Sequence, residues 1–334
     1  MANRLAVVFG GSGFIGRHLV QRLAAEGWRV RVAVRDPEGA SFLKPLGDVG
    51  QIVPVFADIT KDASVTAAVQ GAELVVNLVG ILFERGKKSF KAIHEDGAGR
   101  VAAAAKAAGA KRLIHVSALG ADAASQSAYA RSKAAGEAAV LAAYPEATIL
   151  RPSVVFGPED GFFNGFMTLS NFSPVLPLFV KDGFKLKFCG KIPCGIDLYG
   201  SGGTKFQPVY VGDVAQAAIN AVASDETRGK TFELGGPTVY SFKQLLELAL
   251  KSAGRCRLIA PKPFFVAKII ATFTQFMLKP LLTPDQVKLL ATDNVAHAGV
   301  PGLAELGVTA TAAEVILPTY LSRFKNPYVF RKQG

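Results

Sequence analysis

Short apolar runs alternate with longer stretches of helix-forming composition along the first half of the chain. The runs are Leu5–Phe9 (LAVVF), Arg29–Val34 (RVRVAV), Gln51–Phe56, Leu74–Leu78 (LVVNL), Arg112–Val116 (RLIHV) and one beginning at Thr148–Leu150. Each has the length of a buried strand and is bounded by turn residues. Alanine-rich segments at Ser64–Val69, Phe90–Ala108 and Ala130–Ala143 predict helices between them. Strand and helix alternate through six such units, which predicts an α/β chain built on a doubly wound parallel sheet.

The second half is less regular. Gly161–Val180 (GFFNGFMTLSNFSPVLPLFV) predicts a helix that breaks near Pro174. Phe206–Val211 predicts a strand, Asp213 a cap for a helix over Val214–Ala223, and Thr231–Leu234 a further strand. Ser241 is placed to cap a helix over Phe242–Ser252. These segments predict a smaller C-terminal α/β lobe over residues 161–334, interwoven with a first domain over residues 1–160. Arg255–Lys279 stands apart: it carries Arg255, Arg257, Lys262, Lys268 and Lys279, no acidic residue, and large apolar side chains from Phe264 to Leu278. It predicts a basic amphipathic helix, suited to a membrane interface or to the core of the smaller lobe. No apolar run reaches the ~20 residues that a bilayer crossing takes.

The first strand runs into Gly10-Gly11-Ser12-Gly13-Phe14-Ile15-Gly16 and then a periodic apolar stretch. That is a strand, a glycine-rich turn and a helix start. Gly10 permits the tight turn, Gly13 lets backbone approach a pyrophosphate, and Gly16 lets helix pack closely on strand. The free N–H groups and positive end of the helix then suit phosphates. Glycine-rich turns often do no more than close loops, but the strand before and the helix after select the dinucleotide reading. The second strand ends Val34-Arg35-Asp36. An arginine where a carboxylate would read the ribose favours a 2′-phosphate, hence NADP(H) over NAD(H). The plain alternative is a solvated Arg35 paired with Asp36. Tyr129 and Lys133 lie four apart at the start of an alanine-rich helix and share a face. A neighbouring ammonium is expected to depress the phenol pKa, so that Tyr129 can exchange a proton with a substrate oxygen.

In these residues the chain resembles the extended and atypical short-chain dehydrogenase/reductase superfamily, whose fold is Rossmann-type. The matching positions are Gly10–Gly16, Asp58-Ile59, Asn77-Leu78-Val79-Gly80, Ser117, Tyr129 with Lys133, and Arg151-Pro152-Ser153. Longer strings, VFGGSGFIG, VRDP, HVSALGA, SAYARSKAAGE, LRPSVVFGPEDGFFN and FQPVYVGDVA, resemble the NADPH-binding accessory subunits of respiratory complex I and their bacterial homologues. The resemblance implies that Asp58 contacts the adenine ring, with Ile59 beside it in the cofactor set. It implies that Asn77, Leu78, Val79 and Gly80 line the adenosine and ribose. Tyr129 would be the acid/base, and Lys133 its partner and the ribose ligand; Ser117 joins the cofactor set. One departure bears on turnover: Ser117 is followed by Ala118, where catalytic members carry a second small hydroxyl residue. Cofactor binding is therefore expected, and turnover is not. A second departure is Val180–Gly203, longer than the bacterial relatives usually carry there.

Composition adds a partner class. The chain has 334 residues, is 50% hydrophobic and carries a formal net charge of +12. Its mean hydropathy is +0.28 and its pI about 9.6. No nucleic-acid motif accompanies the charge, so a basic surface near an anionic membrane or within an assembly is expected, together with a phosphate-binding groove. A generally basic solvated surface is the bland alternative. Cys189, Cys194 and Cys256 are too irregular for a disulfide framework. His18, His94, His115 and His297 lack ligand spacing, so no metal is expected and the histidines read as surface or packing residues. The first strand begins within a few residues of Met1, which reads as a chain without a presequence or signal peptide.

The resemblance thus implies an NADPH-binding, non-catalytic accessory subunit of complex I. It would dock on the peripheral arm near the membrane and quinone region, at the cytoplasmic face of a bacterial inner membrane. The alternative is a free-standing cytoplasmic NADP-dependent reductase or sugar-nucleotide epimerase/dehydratase.

Overall fold

A computed structural model describes residues 4–86, 88–180, 185–189, 192–197, 199–275 and 282–325. The chain divides into two compact units that exchange segments. The first comprises Met1–Ser153, Val211–Gly235 and Ala296–Ala310; the second comprises Val154–Tyr210, Gly236–Val295 and Thr311–Gly334. A soft boundary near residue 160 with interwoven segments was expected. The chain leaves the first unit at Ser153 and returns twice, because a later strand and helix complete the first unit's layers.

The first unit holds a seven-stranded sheet of β1 Leu5–Phe9, β2 Arg29–Val34, β3 Ile52–Phe56, β4 Leu74–Asn77, β5 Arg112–Val116, β6 Thr148–Pro152 and β13 Thr231–Leu234. Their order across the sheet is β13-β6-β5-β4-β1-β2-β3. Every pairing is parallel. Buried parallel strands need apolar residues on both faces, which is why β1 and β4 were legible as continuous runs. The helices are α1 Phe14–Ala25, α2 Asp62–Val69, α3 Gly97–Ala107, α4 Ala128–Ala143 and α6 Val211–Ala223. One core joins Val7, Phe9, Val75 and Ile149 to Val65, Val101 and Val140 of α2, α3 and α4, while α1 packs against α6.

Three details differ from the sequence reading. The Phe90–Ala108 segment is not uniformly α-helical: Lys91–Asp96 winds as a π-helix before α3. The β2–β3 connection holds only a 3-10 turn, Ser41–Leu46, with Pro45 inside it. Asp213 is not an N-cap, since α6 starts two residues earlier and Asp213 sits in its first turn, where a carboxylate still meets the positive helix end.

The second unit centres on Phe156, Phe163, Met167, Leu178, Phe242, Leu245 and Leu317. Its helices are α5 Phe162–Phe172, α7 Phe242–Ser252, α8 Phe264–Thr274, α9 Pro284–Leu290 and α10 Ala313–Leu321. Ser241 caps α7 in a reciprocal capping box with Gln244, as its position predicts. The expected helix over Gly161–Val180 stops at Phe172, and after Pro174 the chain becomes a strand, β8 Val175–Val180. The expected strand over Phe206–Val211 is split into β11 Lys205–Phe206, paired with β14 Tyr240–Ser241, and β12 Val209–Tyr210, paired with β7 Val155–Phe156. Pro208, with no N–H to donate, stands in the break. In the Val180–Gly203 stretch, β9 Lys185–Cys189 and β10 Ile192–Asp197 form an antiparallel pair; the rest of that insertion lies partly outside the described residues.

The Arg255–Lys279 segment is not one helix. Leu258–Pro263 is a strand, β15, parallel to β8. Pro261 and Pro263 fit an extended strand and helix entry but would break a helix interior. Only Phe264–Thr274 is helical, and Phe276–Lys279 fall outside the described residues. Within α8 the small side chains Ala267 and Ala271 are buried, while Phe265, Ile269 and Phe273, one turn apart, are 61%, 52% and 75% exposed. No described helix is long and apolar enough to cross a membrane.

Candidate functional site

Strand order reverses around β1, which lies between β4 and β2, and the crevice beyond the carboxyl ends of these strands is where open α/β sheets take ligands. The glycine loop lies there. Gly10 has φ +76°, a conformation that L side chains rarely adopt. Its N–H donates to Ala33 O at 3.2 Å, and its carbonyl accepts from Gly13 N–H at 3.0 Å. Gly16 sits so close beneath the loop that a Cβ would overlap Gly10 O and stand 2.6 Å from Gly11 Cα. Gly13 is the N-cap of α1 and is exposed, and no side chain caps the helix or places an acid in its first turn. A helix start with uncapped N–H groups suits an anion. Ser12, Phe14 and Ile15 are half-buried in the same turn.

The loop after β4 is packed against this turn. Leu78 N–H donates to Phe9 O at 3.0 Å, and Asn77 Oδ1 accepts Val79 N–H at 3.1 Å. A Cβ on Gly10 would meet the Leu78 carbonyl carbon and the Val79 side chain at 3.3 Å. Arg35 is exposed at the end of β2. It makes no ion pair with Asp36, whose Oδ1 accepts Gly39 N–H at 2.9 Å instead. Asp58, at the end of β3, is raised by partial burial, but hydrogen bonds from Thr60 and the cations of Lys61 and Arg35 hold it below the usual carboxylate range. Ile59 is buried: its side chain packs against Gly97 of the π/α3 segment, and its carbonyl accepts from Arg100 at 2.7 Å.

On the other side of the crevice stand the residues of α4. Lys133 is buried and donates to Val116 O at 3.3 Å. Burial lowers its ammonium to about 8, against the opposing pull of Glu137. A Cβ on Gly80 would meet Lys133 Nζ at 3.3 Å and His94 Nε2 at 3.6 Å, so the β4 loop, Lys133 and His94 converge. Ser117, next to the carbonyl that Lys133 holds, is 4% exposed and its hydroxyl has no partner. Tyr129 was expected to be depressed by Lys133. Burial instead pushes its phenol up to about 12. At neutral pH the phenol stays protonated, able to donate a proton but not to accept one.

His94, read from sequence as a surface or packing residue, is a structural centre of the site. Its Nε2 accepts Ile81 N–H at 2.9 Å and its Nδ1 faces Ser132 Oγ at 2.8 Å. Its ring stacks on Phe90 at 5.4 Å and meets Tyr129 edge-on at 5.5 Å. Burial, with the Lys133 charge, lowers it to about 3. The i,i+38 spacing between His94 and Ser132 left no sequence signal. A second unread element is a charge chain behind α4. Arg151 grips Glu137 with two bonds, of 2.9 and 2.6 Å, and lies 3.6 Å from Glu233, which also accepts from the N–H of His297 at 2.8 Å. Among the described residues no group of His, Cys, Asp or Glu is placed to hold a metal.

These residues fit a dinucleotide: a backbone cradle that Gly16 keeps open, an uncapped helix start, a buried cation and an unpartnered hydroxyl facing one crevice. Comparison with known proteins agrees. Residues 6–235 match the NAD dependent epimerase/dehydratase family. The mitochondrial NADH dehydrogenase (ubiquinone) 1 alpha subcomplex subunit 9 of Arabidopsis thaliana is 39% identical over 87% of this chain and 70% of its own length. A ceramide reductase of Caulobacter vibrioides is 41% identical, over 53% of this chain and 54% of that protein. The fold matches that of Thermus thermophilus UDP-glucose 4-epimerase in complex with NAD, with a TM-score of 0.67 at 20% identity, over 96% of this chain and 98% of the other. The chain belongs to the NAD-dependent epimerase/dehydratase family and, within it, to the family of the complex I alpha subcomplex subunit 9 proteins.

Proposed function

We propose that this chain is an NADP(H)-holding accessory subunit of complex I, itself non-catalytic, docked on the peripheral arm near the membrane and quinone region. The observation that carries it is the 39% identity to the Arabidopsis alpha subcomplex subunit over most of both chains. In a bacterial cell that location is the cytoplasmic face of the inner membrane. The first-turn amides after Gly10, Ser12 and Gly13, with Phe14 and Ile15, hold the pyrophosphate. Arg35 reads the 2′-phosphate. Asp58, the Ile59 backbone and Leu78–Gly80 line the adenosine, and Ser117, Tyr129 and Lys133 meet the nicotinamide ribose. A bound nicotinamide would supply hydride chemistry. Ala118 and a phenol held near pKa 12 supply little to use it. The bound nucleotide stabilises instead: a ligand at 100 times its Kd adds about 2.7 kcal/mol.

Native membranes are the test. The chain is expected to sediment with them and to co-migrate with NADH:quinone oxidoreductase in native gels. Recovery as a free soluble protein at physiological salt overturns the reading. The alternative, an NADP-dependent reductase or a sugar-nucleotide epimerase/dehydratase, draws on the retained Tyr129–Lys133 pair and on the likeness to a ceramide reductase. Robust NADPH oxidation with a carbonyl substrate, abolished by Tyr129→Phe, is the outcome that selects it.

A further inference from the structure

In the second unit, the link between α7 and β15 carries two guanidiniums on alternate residues. Arg255 donates from Nε to Phe324 O and from Nη1 to Ser170 Oγ at 3.1 Å. Arg257 donates from Nε to Ser170 O and from Nη1 to Cys256 O, both at 2.9 Å. Ser170 is fully buried, and its own hydroxyl is fixed by donating to Met167 O at 2.6 Å. Every one of these partners is neutral. Among the described residues neither arginine has a carboxylate partner, so the two like charges are held close together and uncompensated.

Both arginines line an open cleft of about 710 Å³, together with Lys243, Lys251, Tyr199 and one acid, Glu247. Lys243 is occupied: it pairs with Glu247 at 2.8 Å and lies over the Tyr199 ring at 4.9 Å. Lys251 is exposed. Among the described lining residues, four cations thus face a single carboxylate. The rim is also apolar. Leu258 lines the cleft and is 64% exposed, and Phe172, two residues before the lining residue Pro174, is 85% exposed.

We propose that this cleft binds the phosphate headgroup of an anionic phospholipid, with Arg255 and Arg257 as the phosphate ligands and Leu258 against the acyl region. A guanidinium fork matches phosphate oxygens in pairs, and side chains already fixed by Ser170 and Phe324 lose little freedom on binding. An acidic peptide would satisfy the charge but would leave the rim's large apolar side chains in water. An amphiphile satisfies both. The inference deepens the membrane-proximal part of the proposed function by giving that contact a headgroup site, and it is independent of the nucleotide crevice.

The test is flotation of the full chain with phosphatidylcholine vesicles, with and without phosphatidylglycerol. Binding is expected only to the anionic vesicles. Lys251→Glu, which touches no anchoring bond, should weaken it by about fivefold or more, and Arg257→Ala should do so as well. Glu247→Gln, which removes the one acid among the described residues that line the cleft, should strengthen it. Inorganic phosphate should compete poorly. Four outcomes overturn the proposal: equal binding to neutral vesicles; unchanged binding in the Lys251 and Arg257 variants; phosphate or an acidic peptide binding the cleft in preference to vesicles; or loss of vesicle binding in Phe265→Ser with Phe273→Ser alone. The last would leave the membrane-proximal reading standing and assign the contact to α8. Failure to co-migrate with complex I, by contrast, would strike the proposed function and leave the cleft untouched.

Discussion

His94 accepts the Ile81 N–H through Nε2 at 2.9 Å, and this bond ties the loop after β4 to the π-helical turn below it. Ser132 Oγ donates to Tyr129 O at 2.7 Å, so it must accept at its other contact, 2.8 Å from His94 Nδ1. The imidazole is therefore neutral with its proton on Nδ1. One side chain thus fixes both walls of the crevice, the Gly80–Ile81 loop and the Tyr129–Lys133 face of α4. His94→Ala should cost about 1–3 kcal/mol for the orphaned Ile81 amide alone, with a loss of nucleotide affinity. His94→Gln, which retains an acceptor, should recover part of both. Denaturant unfolding and calorimetric titration read the two effects. Stability and affinity unchanged in His94→Ala would show that His94 clamps neither wall.

The same burial sets a pH dependence. His94 and His115 are both lowered to about 3, His115 by burial first and then by the charges of Lys133 and His94. Unfolded histidine titrates near 6.5, so between about 6.5 and about 3 the unfolded chain binds more protons than the folded one. Stability is fully present above pH 6.5 and is lost as pH falls through that window. At pH 5 the expected loss is about 2 kcal/mol per histidine. Unfolding free energies measured from pH 7.5 down to pH 5 check the slope, and His94→Gln should make it shallower. A flat profile would contradict burial of the neutral rings.

The parallel sheet was legible because its inner strands are largely buried on both faces, and β1 and β4 in particular carry nearly unbroken apolar runs, while the half-exposed edge strand β3 still kept its β-branched residues. The glycine loop was legible because backbone approach restricts residue choice at Gly10 and Gly16. What the sequence could not carry was convergence across long separations. His94 meets Ser132, and Glu137 meets Arg151 and through it Glu233, at spacings with no periodic signature. Amphipathic reading also failed in one direction at α8. Apolar periodicity there predicted a buried or membrane-facing stripe without saying which face holds the core, and the core takes Ala267 and Ala271 while the large side chains face out.

Two glycine substitutions should separate folding from binding. At Gly16 a Cβ meets fixed backbone, so Gly16→Ala should destabilise the first unit and abolish nucleotide binding together. At Gly13 a Cβ meets only Gly10 O, at 3.1 Å, and otherwise points into open space. Gly13→Val should therefore leave the apo fold near its parent stability but remove the stabilisation that NADPH adds. Thermal unfolding with and without NADPH reads both. Normal NADPH binding by Gly13→Val would move the site elsewhere.

Arg35 is exposed and unpaired with Asp36, which leaves it free to choose between dinucleotides. Arg35→Ala should weaken NADP(H) by about 1.5–3 kcal/mol, the range of a hydrogen bond to a charged group, and leave NAD(H) unchanged. Competition titrations decide it. Equal affinity of the parent protein for the two dinucleotides would sink the NADP preference.

Glu137 links the charge chain behind α4 to the site in front of it. It holds Arg151 by two bonds and also raises the Lys133 ammonium that burial lowers to about 8. Removing one partner of a buried pair typically costs about 3–5 kcal/mol, so Glu137→Ala should be severely destabilised. Glu137→Gln keeps the shape and an acceptor for Arg151 and should fold. Without the carboxylate, however, the Lys133 pKa must drop below its present value, because burial then acts unopposed. If the Lys133 ammonium holds the nucleotide ribose, parent affinity for NADPH should fall as pH rises through about 8, and in Glu137→Gln the midpoint should move to lower pH. Calorimetric titrations from pH 6 to pH 9 measure both midpoints. An identical pH profile in the two proteins would show that Lys133 does not carry the charge that the nucleotide feels, and would reduce Glu137 to a packing partner of Arg151.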